Sequence, residues 1–480
     1  MDHKRLFLAI AISIAILLGF RLLFPPPPAA VVTAAETTKT TPAGVAPRPT
    51  GNPAAPGTEP VAVPREVPRL AIEAPAVQGS ISLLGARLDD LVLRNFHEEV
   101  SRSSPLVRLL EPKADPQPYY VQFGWSADDK AIRVPGDDTV WSASPGPLTA
   151  THPVTLTWDN GAGLVYEIVL SVDANFMFTA QQHVRNGTGT AVALHPWARI
   201  RRDYTPVVAG YYILHEGLLG VLHGTLEEMT YAKARSAGKG PDGIGFSSTG
   251  AGGWAGITDK YWLTALIPDQ SVPTVTTFRH LVQNGSDRYQ VDFVSQNTEQ
   301  VGPGAEGSQT TRLFAGAKEV RLLDHYQAEF HIPSFWKAVD FGIFFFLTRP
   351  IFYALDWLYH LIGNFGVSIL IFTVFVKALF FPLANKSYKS MSKMKLLGPK
   401  MKEIRERNPD DKTKQQQEMM ALYKTEKVNP AGGCLPMVVQ IPVFFSLYKV
   451  IFVTIEMRHA PFFGWIHDLS AVDPTMCSRY

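Results

Sequence analysis

Two hydrophobic periods divide the chain. Between residues 69 and 330, Leu164, Tyr166, Ile168, Leu170 and Val172 alternate with Val165, Glu167, Val169 and Ser171, the period-two signature of a half-buried strand. Asp159-Asn160-Gly161, Arg185-Asn186-Gly187 and Gln283-Asn284-Gly285 place Asn and Gly where positive φ is needed, so each predicts a hairpin turn. Short strands between such turns predict a large antiparallel β-sandwich. The sequons Asn186-Gly-Thr and Asn284-Gly-Ser fall on these turns and are read as turns rather than as glycosylation sites.

Elsewhere the pattern becomes long apolar runs, in segments 1–24, 350–384 and 431–456. Each run holds about 20 residues, enough to cross ~30 Å of hydrocarbon at ~1.5 Å per residue. The first follows Lys4 and Arg5 and resembles a signal peptide, with Val32-Thr33-Ala34 as a small-residue cleavage site. Its extension through Leu22-Leu23-Phe24, with Arg21 able to snorkel, favours an uncleaved anchor. Residues 25–68 are rich in Pro, Ala, Thr and Gly and predict an extended tether. In 331–349, Lys337 and Asp340 fall on one helical face, and Trp336 and phenylalanines on the other, before Thr348-Arg349-Pro350 breaks the run. That pattern suits an amphipathic helix lying in the membrane interface, with a buried core helix as the alternative.

Charge orients these elements. Segment 385–430 carries twelve lysines and arginines, from Lys386 to Lys427, against Glu403, Glu406, Asp410, Asp411, Glu418 and Glu426. By the positive-inside rule it is cytoplasmic, as Lys4 and Arg5 make the N-terminus, and both agree if the β-domain is periplasmic. Met391, Met394, Leu397, Met401 and Ile404 recur at three and four, and Asn408-Pro409-Asp410-Asp411 interrupts them, so the loop predicts a helical hairpin. Its charges serve as a solvated face and topology signal, or contact anionic lipid headgroups or ribosomal RNA. The whole is a multi-domain membrane protein, with an α-helical transmembrane core, a periplasmic β-domain and a cytoplasmic hairpin.

Composition agrees: 46% of the 480 residues are hydrophobic and 18% charged, and the net charge of +2 is unevenly spread. Cys434 and Cys477 are the only cysteines, so there is no disulfide framework, and neither CxxC nor HExxH occurs. His195-Pro-Trp197 with Arg199, Arg201 and Arg202, or His215-Glu216, could line a sugar site. No nucleophile elbow, P-loop or metal-ligand set accompanies them, so a structural role is the preferred reading and no cofactor is expected.

One residue conflicts with its surroundings. Lys377 is the only full charge between Phe365 and Pro382, where a mid-helix lysine costs roughly 2.5–3.5 kcal/mol. Helical spacing aligns Gly366, Leu370, Thr373 and Lys377 on one face. The cation lies roughly 12 Å from the cytoplasmic end of its segment, so snorkelling and a polar cavity both remain open.

Residues 361–467 resemble the YidC family of membrane protein insertases. The stretches are Gly363-Asn-Phe-Gly-Val-Ser368, Glu418-Met-Met-Ala-Leu-Tyr-Lys424, Lys427-Val-Asn-Pro-Ala-Gly-Gly-Cys-Leu-Pro436, Gln440-Ile-Pro442 and Trp465-Ile-His-Asp468. Gly253-Trp-Ala-Gly-Ile-Thr-Asp-Lys-Tyr-Trp262 is similar to the signature of the family's periplasmic domain. The resemblance implies a Gram-negative inner-membrane insertase and chaperone with a β-supersandwich, working without nucleotide hydrolysis. It makes Lys377 the cation of a hydrophilic groove, a position normally held by arginine, with Thr373, Gly366 and Gln440 beside it. Ile441, Pro442 and Phe444 match the stretch along which substrate helices slide. Implied partners are nascent membrane proteins, the Sec translocon, the ribosome and anionic lipids, with no DNA. The family core has five transmembrane segments, and here the pattern ends after two of them, near Pro474. Segment 457–480 is therefore expected to be a truncated periplasmic end, with activity depending on three further helices. Two readings compete with the insertase: a membrane-anchored periplasmic module that binds glycan or protein, and an enzyme, for which no nucleophile–base constellation is present.

Overall fold

The computed structural model describes residues 67–208, 213–283, 285–409, 411–426, 428 and 435–470. The anchor expected over 1–24, nearly all of the 25–68 linker and Asn284 lie outside the described residues.

Among the described residues, antiparallel sheets of ten and nine strands build the β-domain. The first runs, in spatial order, Arg69–Glu73, Val77–Ser82, Arg87–His97, Tyr119–Ala127, Val192–Arg202, Ser286–Ser295, Pro273–Gln283 and Ile244–Ala251. Off this path, Leu106–Leu110 pairs with Arg87–His97 and Glu299–Val301 with the start of Val192–Arg202. The second runs Thr225–Thr230, Gly217–Leu222, Trp254–Thr258, Trp262–Pro268, Glu306–Ala317, Met177–Asn186, Leu164–Val172, Val154–Asp159 and Ser142–Ala143. Strand Leu164–Val172 buries every second residue, beginning with Leu164, because only one pleat face meets the opposite sheet. There the ring of Tyr166 meets that of Trp125 edge-on, 5.0 Å between centroids.

Two of the three predicted turns are hairpins. Gly161, at φ 72°, joins two paired strands. Gln283 pairs with Ser286 across a two-residue connection ending in Gly285 at φ 79°. Arg185-Asn186-Gly187 is instead a crossover, since the strand before it belongs to the second sheet and the strand after it to the first. The buried Asn186 amide pins this crossover by donating to the carbonyls of Thr190 and Val301, both at 2.8 Å. Local turn chemistry reads the reversal correctly but does not say which strand the chain will join next.

Helix α1 (Tyr231–Ala237) packs on the first sheet, and α2 (Val320–Glu329) follows Glu306–Ala317 of the second. Beyond them come a 3-10 turn (Phe335–Ala338), α3 (Phe345–Ile362), α4 (Phe365–Leu396), α5 (Gly398–Arg407), α6 (Lys412–Thr425) and α7 (Leu435–Val453). The amphipathic helix expected over 331–349 is therefore displaced. Residues 339–344 form a loop, and the helix runs through Pro350. Pro350 is only the sixth residue of α3, so its missing amide hydrogen costs a bond near the end of the helix rather than in its middle. One α3 face buries Ile351, Phe352 and Leu355, while Phe346, Trp357 and Leu361 stay exposed. Pro382 also lies within its helix, and α4 continues into the basic region.

Polar contacts join the β-domain to the helices. Lys449 of α7, with a side chain 2% exposed, lies 3.0 Å from Asp340 in the loop before α3. Its ammonium also donates to the carbonyl of Ile213, while Asp340 accepts from the His215 amide at 3.1 Å. Arg458 donates to the carbonyls of His97 and Glu98, and Glu456 accepts from the first amide of α2. The turn inside Gly253–Trp262 is part of this junction: Lys260 sits 3.9 Å from the ring centre of Phe452, and Arg458 lies over Trp262.

Removing one member of a buried ion pair costs about 3–5 kcal/mol because the other charge stays desolvated. Asp340→Leu is therefore expected to lower the thermal unfolding midpoint of the purified chain, and Lys449→Met in the same molecule to restore most of it. An unchanged midpoint in the single variant would show that the pair does not hold the junction.

Candidate functional site

Two helices among the described residues, α4 and α7, are long and apolar enough to cross a membrane. Asn364 caps α4 by accepting from the Val367 amide at 3.1 Å, and Gly363, at φ 78°, closes α3 immediately before it. The rings of Tyr359 and Phe365 stack at 3.8 Å across that corner. Helix α3 packs on both α4 and α7, setting the spacing of the two apolar helices.

Between α4 and α7 lies a cavity of about 890 Å³. Helix α4 contributes Lys377, Phe381, Ala384, Tyr388 and Met391, and α7 contributes Met437, Gln440, Ile441, Phe444 and Tyr448. Both sets recur at three and four, as one helical face requires. The structure thus brings Lys377, Gln440, Ile441 and Phe444 to one groove. Ser387 and the Tyr388 side chain add polar groups towards the hairpin end.

Thr373, Gly366 and Pro442 do not line this groove. The Thr373 hydroxyl donates to the Ile369 carbonyl at 2.7 Å, satisfying itself within its own helix. Gly366 packs against Phe462, whose ring would lie 2.1 Å from any Cβ placed there. Pro442 is half-buried within α7, where it removes the hydrogen-bond donor to the Val438 carbonyl. The expected face through residues 366, 370 and 373 lies on the stretch of α4 before Lys377, whereas the cavity follows α4 from Lys377 towards Met391.

Lys377 and Lys449 make a controlled contrast. Lys449 is buried and paired. Lys377 is exposed at the groove, and among the described residues no carboxylate lies within 4.0 Å of it. An entering carboxylate about 4 Å away would be attracted by roughly 4 kcal/mol at an effective dielectric constant near 20. Lys449 went unnoticed in the sequence, although it is the sole charge in Leu435–Val453 and meets the criterion that singled out Lys377.

The hairpin is built as its pattern requires. Asp411 accepts from the amides of Thr413 and Lys414, Asn408 donates to Glu418, and Lys400 pairs with Glu426 at 2.6 Å. Elsewhere, His195 is held by the Ser295 carbonyl and Asp128, and His215 by the Leu218 carbonyl. Among the described residues no cluster of His, Cys, Asp and Glu could hold a metal ion.

Comparison with known proteins places this geometry in a family. Residues 69–354 match the family described as YidC periplasmic domain, and residues 357–478 the family described as 60Kd inner membrane protein. Membrane protein insertase YidC of Granulibacter bethesdensis is 61% identical over 99% of this chain and 82% of that protein. The Acidiphilium cryptum protein of the same name is 53% identical over 85% of this chain and 69% of its own length. A galactose mutarotase related enzyme from Lactobacillus acidophilus is 8% identical, covering 52% of this chain and 97% of its own, with a TM-score of 0.35. The chain belongs to the YidC family of membrane protein insertases.

Proposed function

We propose that the chain inserts hydrophobic segments of nascent membrane proteins into the bacterial inner membrane, with the α4–α7 groove as the transient site for their polar ends. The observation that carries this reading is Lys377, with no carboxylate within 4.0 Å among the described residues, in a cavity between two membrane-length helices. A short acidic tail enters the groove, and Lys377 offsets the desolvation of its carboxylates. The attached apolar segment then leaves along Ile441 and Phe444, both largely exposed on α7, with Pro442 between them. Its transfer to lipid is driven by ~25 cal/mol per Å² of apolar area removed from water. No nucleotide is required, since burial of the segment supplies the free energy.

The hairpin's excess of lysine and arginine supports a cytoplasmic side for α5 and α6, hence a periplasmic β-domain. The same excess favours contact with anionic lipid headgroups; the ribosome and the Sec translocon follow from the family resemblance. Lys377 keeps the charge of the arginine usual at this position but lacks its planar fork. A point charge suffices if long-range attraction is what the groove offers.

Lys377→Glu in proteoliposomes is expected to reduce insertion of a substrate with an acidic N-terminal tail by more than about tenfold, because attraction becomes repulsion, while Lys377→Arg keeps it. Normal insertion by the Glu variant contradicts the electrostatic role. Deleting residues 69–319 is expected to leave substantial insertion, measured with the same substrate. Complete loss in that deletion, with the helices still folded, favours the periplasmic binding module instead.

A further inference from the structure

The groove between α4 and α7 has a direction. Gly366, the second residue of α4, packs against Phe462, which lies beyond the end of α7, so the two helices run antiparallel. On α4 Lys377 is the first residue of the lining, and Phe381, Tyr388 and Met391 follow it towards the hairpin. Met437, near the start of α7, lines that same hairpin end. The cation therefore stands at the end of the α4 lining, and the apolar surface extends from it one way. From Lys377 to Met391 the groove is about 21 Å long, at ~1.5 Å per helical residue.

The walls decide which conformation an occupant can take. Phe381, Ile441, Phe444 and Met437 are all largely exposed, an apolar surface for other apolar side chains. Lining side chains able to bond a backbone are few: Lys377, Ser387, Tyr388 and Gln440. An extended segment covers ~21 Å with about six residues, and so brings about six amide donors and six carbonyl acceptors. Packing against the phenylalanines removes water from those groups, and the few polar side chains cannot replace it. Buried backbone groups left without partners are costly. A helix avoids this cost, because its backbone groups bond one another, and about fourteen helical residues cover the same length. Both walls recur at three and four, the spacing at which the ridges of one helix enter the grooves of another.

We infer that an incoming segment lies in this groove already folded as a helix of about fourteen residues, its acidic end at Lys377 and its apolar face running along α4 and α7 to Met391 and Met437. Aspartate is a favoured N-cap, so one carboxylate both bonds the first free amides of the helix and faces the cation. The methionines suit the hairpin end, since unbranched thioether side chains repack against differing sequences. The inference rests on the insertion reading and adds that helix formation precedes exit into lipid. It names the substrate class as an apolar helix-former preceded by an acidic residue.

The test is photo-cross-linking of the full chain, in proteoliposomes, to a synthetic peptide of one aspartate followed by about twenty alanines and leucines. A photoactivatable leucine is moved one position at a time along the run, and adducts are located by mass spectrometry. The yield on groove residues is expected to peak every three to four positions, with early positions reaching Phe381 or Phe444 and late ones Met391 or Met437. Proline in the middle of the segment is expected to lower the late adducts by at least about tenfold, whereas proline at the first helical position leaves them unchanged. Lys377→Glu is expected to lower the yield at every position. Peaks at every second position, no periodicity, the reverse order along the groove, insensitivity to the central proline, or no groove adducts at all would overturn the inference. Periodic adducts that persist undiminished in Lys377→Glu would instead contradict the electrostatic reading on which it rests.

Discussion

A cation in an otherwise apolar helix must be compensated, and the helical part of the chain is arranged around how two lysines meet that requirement. Lys449 is compensated internally: Asp340 and the Ile213 carbonyl surround its ammonium. The pair fixes the end of α7 to the loop before α3 and to the β-domain. Among the described residues Lys377 has no carboxylate within 4.0 Å, and it lines a groove with Gln440 and Tyr388. Being exposed at the groove, its ammonium is open to water or to an arriving carboxylate. One lysine is a structural tie and the other a standing vacancy for opposite charge.

The tie gives the β-domain a mechanical relation to the groove. The turn between Trp254–Thr258 and Trp262–Pro268 touches the end of α7 through Lys260 and Phe452. Arg202, buried in the first sheet, holds that turn by a forked pair with Asp259 at 2.7 and 2.8 Å. Rigid sheet, turn and membrane helix are thus joined through side chains with defined partners. The motif that resembles a domain signature in the sequence is, in the fold, the part of the domain that meets the helices.

Much of this was legible beforehand. The alternation in Leu164–Val172 reproduces its burial pattern residue by residue, because one-sided burial leaves a direct imprint on a strand. The apolar lengths of α4 and α7 were equally plain. Three features were not. Pro350 reads as a helix end, yet it lies within a helix, since one missing hydrogen bond is tolerated where packing sustains the helix. The cavity lies beside a different stretch of α4 from the face through residues 366, 370 and 373, because helical spacing specifies a face but not which stretch of it meets a neighbour. Lys449 required knowing that Asp340, more than a hundred residues earlier in the chain, comes back to it.

The most direct test compares access to the two lysines. In inverted inner-membrane vesicles carrying the full chain, a water-soluble, membrane-impermeant maleimide is added to Lys377→Cys and Lys449→Cys variants. Rapid labelling at 377 and protection at 449 until the protein is denatured is the predicted result. Protection at 377 equal to that at 449 would mean that no hydrated groove surrounds the unpaired cation, and would contradict the account.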